Sequence, residues 1–142
     1  MSQQLATEIA QRAAKAARAV ATLSEQDKNK VLQKMADAIR SHKDKILAVN
    51  EKDMVAGKEK GLSDAMMDRL QLDDDRVEGM ASAIEEIIEL SDPVGDSYVL
   101  EERPNGLKIE KMRIPLGVIA MIYEARPNVT ADAGALCFKS GN

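Results

Sequence analysis

Residues 115–142 read PLGVIAMIYEARPNVTADAGALCFKSGN, and the order of apolar and polar positions in this stretch decides the fold. Leu116 to Tyr123 is an almost unbroken apolar run entered from Pro115, with charge excluded until Glu124. A strand buried on both faces, in the middle of a parallel sheet, reads this way. From Pro127 to Ser140 the pattern is helical: proline suits a first helical turn, and Gly141 falls where helices stop. Strand followed by helix is half of a βαβ unit, which a second, parallel strand must complete. Without that strand the run presents a long apolar edge, which invites association. The sequence therefore predicts the N-terminal part of a larger α/β protein, starting at Met1 and breaking off within its second structural unit.

Upstream the periodicity is helical. Leu5, Ile9, Ala13, Ala16, Val20 and Leu23 recur at helical spacing over residues 3–23. Ser24 then reads as an N-cap, with Asp27 three residues on as a variant capping box. A second helix places Val31, Leu32, Met35, Ile39, Ile46 and Val49 on one face. A short third helix, EKDMVAGKEKG, ends at Gly61, and LSDAMMDRL reads as one more short turn or helix. Asp73 or Asp74 starts a helix with Val77, Met80, Ile84, Ile87 and Ile88 inward and Glu78, Glu85, Glu86 and Glu89 in water. Pro93 and Gly95 mark a turn. Two extended stretches, SYVLEER and LKIEKMRI, are joined by Pro104-Asn105-Gly106, a hairpin signal. Leu107 and Ile109 share one face while Met112 and Ile114 have the opposite parity, a slip that a bulge between them or a change of partner strand would explain.

Composition narrows the function. A chain of 142 residues is one domain of ordinary size. Aromatics make up only 2%, so the core volume must come from aliphatic residues and the eight methionines, which suits helices. The net charge of −4, with bases and acids interleaved, argues against non-specific nucleic-acid binding. One cysteine excludes an internal disulfide and a cysteine-based metal cluster, and a reducing compartment follows. The first twenty residues contain no long apolar run, so neither a secretory signal nor a membrane span is read there, and a cytoplasmic location is expected. His42, a lone histidine on the apolar edge of the second helix, reads as structural. Asp73-Asp74-Asp75 reads as acids at a helix start rather than a metal site. Met66-Met67 reads as packing, and the lysine-rich faces of residues 28–60 as solvated. Lys139 falls in a last helical turn, where cations are favoured.

The quoted stretch closely resembles the gamma-glutamyl phosphate reductase (glutamate-5-semialdehyde dehydrogenase) family, a branch of the aldehyde dehydrogenase superfamily. The resemblance rests on Pro115-Leu116-Gly117-Val118, on Tyr123-Glu124-Ala125-Arg126-Pro127-Asn128-Val129-Thr130 and on Lys139-Ser140-Gly141-Asn142. Upstream, Gly61-Leu62-Ser63, Asp68-Arg69-Leu70, Asp92-Pro93-Val94-Gly95 and Arg103-Pro104-Asn105-Gly106-Leu107 fall in the family's order. It covers the whole chain but only about the opening third of the family's length. It implies an α/β architecture: N-terminal helices of the cofactor-binding domain over 1–91, a hairpin arm over 92–115 that contributes to subunit association, and the first strand and helix of a Rossmann-like domain over 116–142. It also implies reduction of L-glutamyl 5-phosphate by NADPH to glutamate 5-semialdehyde and phosphate in proline biosynthesis, a homo-oligomer, and glutamate 5-kinase as a partner. The family's nucleophilic cysteine lies beyond residue 142, and so does the strand that contacts the cofactor's phosphates. The isolated chain is accordingly expected to be inactive, and no cofactor-binding residue is assigned within it. The competing reading is a non-catalytic helical interaction or oligomerisation module, suggested by the helical region 1–91.

The residues of the quoted stretch then sort as follows. Cys137 shares an apolar helix face with Val129 and Ala133, the setting of a buried structural cysteine rather than of a thiolate nucleophile. The loop Tyr123–Thr130 leaves the carboxyl end of the expected strand, where α/β sheets bind ligands. Asn128 has two readings there: an amide donor to a developing oxyanion, as the resemblance implies, or a helix N-cap, a role for which Thr130 competes. Arg126 likewise has two: a forked partner for a carboxylate or phosphate of glutamyl phosphate, or an ion pair with Glu124 or Asp132. Tyr123 is expected to pack under the loop.

Overall fold

The computed structural model describes residues 3–124 and 126–142, without the side chain of Gln3; Met1, Ser2 and Ala125 of the loop motif lie outside the described residues. Helix α1 spans Gln3–Val20 and leads to Ser24, whose hydroxyl accepts from the Asp27 N–H and donates to the Asp27 carboxylate. That cap starts α2 (Glu25–Ser41). Next come α3 (Lys43–Glu59), α4 (Asp64–Leu70) and α5 (Asp74–Glu89), the last capped by Asp73, which accepts from the Arg76 N–H at 2.8 Å. A hairpin of β1 (Ser97–Glu102) and β2 (Lys108–Met112) precedes α6 (Asn128–Lys139).

The core is a three-helix contact. Leu32 and Ala36 of α2, Met80, Ala81, Ile84 and Ile87 of α5, and Ala131 and Ala135 of α6 bury one another. The alanines set the spacing, because three helices approach closely only where side chains are small. Each fully buried Leu or Ile contributes about 1.5–3 kcal/mol relative to exposure. The inward face of α5 matches the sequence reading. On α6, however, the buried row is Ala131, Ala135 and Lys139, whereas Val129, Ala133 and Cys137 are half-buried. Val31 and Val49 are exposed, against expectation.

The second and third helices divide earlier than the periodicity suggested. His42 ends α2 and begins α3. Its backbone N–H and its ring Nδ1 both reach Ala38 O, and the Ser41 hydroxyl donates to the same carbonyl. Side chains that compete for a helical carbonyl end the helix there. His42 is exposed at this bend, not on a packed edge. Lys28 and Lys139 are also corrections: both are buried rather than solvated or merely placed in a last turn.

The hairpin matches its turn signal. Gly106 takes φ 83°, donates to Arg103 O, and the Arg103 N–H donates to Leu107 O. This is a three-residue loop closed by a residue in the left-handed region. No bulge separates Ile109 from Met112; the one present is on β1, where Val99 pairs with Glu110 and Glu101 with Ile109, leaving Leu100 extra.

Residues 116–123 build no ladder. Among the described residues β1 and β2 pair only with each other. Leu116 is 88% and Ile122 fully exposed. A strand needs a neighbour's hydrogen bonds, and nothing in the described chain supplies them. The run is nevertheless clamped along α6 at both ends. The Gly117 N–H donates to Asn142 Oδ1 at 2.9 Å beyond the helix C-terminus, and the Tyr123 hydroxyl meets Thr130 Oγ1 in its first turn. Run and helix therefore travel in opposite directions side by side, the path of a strand–helix unit. The C-terminal clamp depends on Gly141, at φ 77°: a Cβ there would meet Pro115 Cγ at 2.9 Å and Val94 Cγ2 at 3.0 Å. The Asn142 N–H donates to Cys137 O and the Gly141 N–H to Phe138 O, a helix stop in which a left-handed residue satisfies the last carbonyls.

Candidate active site

A cavity of about 400 Å³ opens where the α4–α5 connector, α5 and the first turn of α6 meet. Its lining includes Arg69, Arg76, Arg126, Asn128 and Asp132. Three guanidiniums in one cleft make it a candidate for anionic ligands.

The connector is held by Asn50, a residue the sequence reading passed over. Asn50 is 5% exposed; its Nδ2 donates to Leu70 O and its Oδ1 accepts from the Leu72 N–H, both at 2.8 Å. A buried amide that satisfies two backbone groups fixes the residues between them. The available signal was an asparagine inside a helical pattern, which polarity alone marks as solvated. Arg76 is likewise occupied. Its guanidinium donates to Asp68 O, Gln71 O and Asp68 Oδ1, and the hydrogen bond and charge of Asp68 raise its pKa above the ordinary arginine value.

Asn128 and Asp132 are one turn apart on α6. Asn128 Nδ2 donates to Asp132 Oδ2 at 2.9 Å, which spends one of its two amide hydrogens. Neither Asn128 nor Thr130 caps the helix: Pro127 occupies the cap position with no side-chain hydrogen bond, and Thr130 is taken by Tyr123. Tyr123 is 46% exposed, so it braces the loop rather than lying beneath it. Arg126 is exposed, and among the described residues no carboxylate lies within ion-pairing distance of it, Glu124 and Asp132 included. Arg69 is also exposed and makes no ion pair among the described residues. Cys137 lies near the opposite end of α6, half-buried. No group of three or more metal-ligating side chains is found among the described residues. None of the described helices is long and apolar enough to cross a membrane.

No family model matches the chain. Curated proteins do. All 142 residues align at 84% identity with the gamma-glutamyl phosphate reductase of Idiomarina loihiensis, covering 34% of that protein. The Colwellia psychrerythraea enzyme of the same name is 58% identical over 94% of the chain and 32% of its own length. The chain is similar from end to end to gamma-glutamyl phosphate reductase. It spans about a third of the length of the curated relatives it matches. Solved structures agree. The Thermotoga maritima reductase superposes with a TM-score of 0.88 at 38% identity, over 96% of this chain and 33% of that one. The Saccharomyces cerevisiae reductase gives 0.91 at 36% identity, over 100% and 36%. Helices, hairpin and the strand–helix path of 116–140 thus follow the fold of these reductases.

Proposed function

We propose that this chain is a segment of an oxidoreductase that reduces L-glutamyl 5-phosphate to L-glutamate 5-semialdehyde with release of phosphate, in proline biosynthesis in the cytoplasm. The observation that carries the reading is the 84% identity to a gamma-glutamyl phosphate reductase along every residue of the chain. The reductant is a nicotinamide cofactor, NADPH by the resemblance. By the resemblance, the strand that contacts the cofactor's phosphates lies beyond residue 142. No residue of this chain is therefore assigned to the cofactor. Residues 1–91 act as helical support, 92–115 as an arm for subunit association, and 116–142 as the start of the nucleotide-binding unit.

Within this reading Asn128 keeps its second amide hydrogen for the oxyanion that forms when the acyl phosphate is attacked. Arg126, unpaired at the cleft mouth, forks onto the phosphate or a carboxylate of the substrate. Cys137 is structural. The assay is oxidation of glutamate 5-semialdehyde by the full-length protein with phosphate and NADP⁺. Phosphate-dependent reduction of NADP⁺ is expected, and its absence would overturn the reading. Asn128→Ala should lower kcat by about 10²–10³, the usual loss for one oxyanion donor, with little change in KM. The isolated 142-residue chain should show no turnover.

A further inference from the structure

The last carbonyls of a helix find no partner within it. At the end of α4 two side chains take them up. Asn50, on α3, donates to Leu70 O and accepts from the Leu72 N–H, while Arg76, on α5, donates to Asp68 O and to Gln71 O. Four backbone groups within residues 68–72 are thus held by side chains of two other helices. The same stretch supplies Asp68, Arg69, Gln71 and Leu72 to the cavity that Arg126 and Asn128 also line. With only seven residues, α4 is too short to hold its shape by its own hydrogen bonds, so the form of this wall is set by its partners.

Asn50 is not part of that lining. It lies behind the wall, on a second, apolar hollow of about 320 Å³ shared with Leu72 and Pro127. Leu72 lines both hollows, and Pro127 lines the second while its neighbours Arg126 and Asn128 line the first. The connector and the loop at Pro127 therefore stand at one partition. We propose that Asn50 is a positioning residue for the reduction: it holds the α4–α5 connector as a fixed wall, so that a substrate seated in the cavity meets Asn128 in one geometry. The inference rests on the reductase reading and gives a role to a residue for which that reading has no use. An amide suits the task, because its donor and its acceptor bridge a carbonyl and an N–H two residues apart. Its value to the reaction is orientation, since a misplacement of about 1 Å can cost about 10²-fold in rate.

A double-mutant cycle on the full-length protein tests this. The assay is phosphate-dependent oxidation of glutamate 5-semialdehyde, with rates taken per folded molecule well below the unfolding midpoint of each variant. Asn50→Ala should lower kcat by about tenfold or more, with a smaller change in KM. Added to Asn128→Ala, it should lower kcat by no more than about threefold further, because the amide that the wall serves is already gone. Arg76→Lys keeps the charge but loses the fork onto two carbonyls. It should show the same overlap with Asn128→Ala, and it replaces Asn50→Ala in the cycle if that variant does not fold. A residue needed for folding alone leaves kcat per folded molecule unchanged, or costs the same factor with and without Asn128, and either result would overturn the proposal. No turnover by the unmodified protein overturns the reductase reading and this role with it. Turnover with independent losses overturns this role alone.

Discussion

Lys28 shows how a single side chain can be hidden from pattern reading. It stands in a lysine-rich helix that reads as solvated, yet it is fully buried, with Nζ 2.6 Å from Asp92 Oδ2. Burial pushes the Asp92 carboxyl up, but the bonds from Lys28 and from the Val94 N–H outweigh it and leave the group below the usual carboxylate range. Lys139, 3% exposed, completes the arrangement by donating to Asn29 Oδ1 at 2.6 Å and to Ile88 O at 3.0 Å, near the end of α5. The last carbonyls of a helix need such donors. The two partners of the Lys28 pair are not equivalent, because Asp92 keeps 12% of its side chain exposed and a second donor in Val94. Asp92→Ala strands a buried ammonium and should cost about 3–5 kcal/mol, whereas Lys28→Met fills the site with an apolar chain and should cost about 1 kcal/mol or less. Urea unfolding of both variants checks the order, and equal losses would contradict it. No spacing in the sequence distinguishes Lys28 from Lys30 or Lys34, since only the partner sixty-four residues away makes it special.

At the scale of elements, helices with a strong apolar face were readable and their mates were not. The inward face of α5 and the cap at Ser24 are local features, and the structure keeps them. The break at His42 depends on three groups sharing one carbonyl, and the bulge at Leu100 on pairing between strands, so neither has a one-dimensional signature. The α2–α5 contact also has an electrostatic seam. Arg40 forks onto Glu85 at 2.5 and 2.8 Å and reaches Glu78 at 2.7 Å. The hydrogen bonds from Arg40, then from Gln33, hold the Glu85 carboxyl down to about 2. A carboxylate whose folded pKa lies below its unfolded value of about 4.3 stabilises the fold above that value. The contribution disappears as pH falls through the folded pKa. The stability difference between the protein and Glu85→Gln should therefore be constant from neutral pH to about 5, shrink between about 4 and 2, and vanish below. Denaturant melts across that range measure it, and a difference that grows on acidification would refute the assignment. Added salt should shrink it at neutral pH, since Glu85 is 37% exposed.

For the whole molecule, the apolar run LGVIAMIY reads as a strand by composition, but among the described residues it forms none, and only its path along α6 is the one a strand–helix unit takes. What the sequence could not supply is the neighbour, because pairing is a property of two segments. The loop that leaves the run pointed to Asn128 and Arg126 as candidates, and the structure places both on the cavity lined by α4, α5 and α6, whereas Arg69 joins that lining only through the packing of these helices and Asn50 matters only through the connector it holds. The structure leaves the run open: Leu116, Val118, Ile119, Met121 and Ile122 are all more than 40% exposed. Contiguous exposed apolar surface of this kind, with unpaired backbone beside it, drives association. The hairpin presents a second such surface through Tyr98, Val99 and Leu100. The isolated chain should therefore associate with rising concentration in sedimentation velocity. Val118→Lys combined with Ile122→Lys should weaken association by about tenfold or more, because both substitutions place charge on the open run and neither removes a buried contact. Equivalent charges at Val99 and Leu100 test the hairpin separately. If only the hairpin pair restores a monomer, the run is not the associating surface, and its exposed side chains find cover within the same molecule.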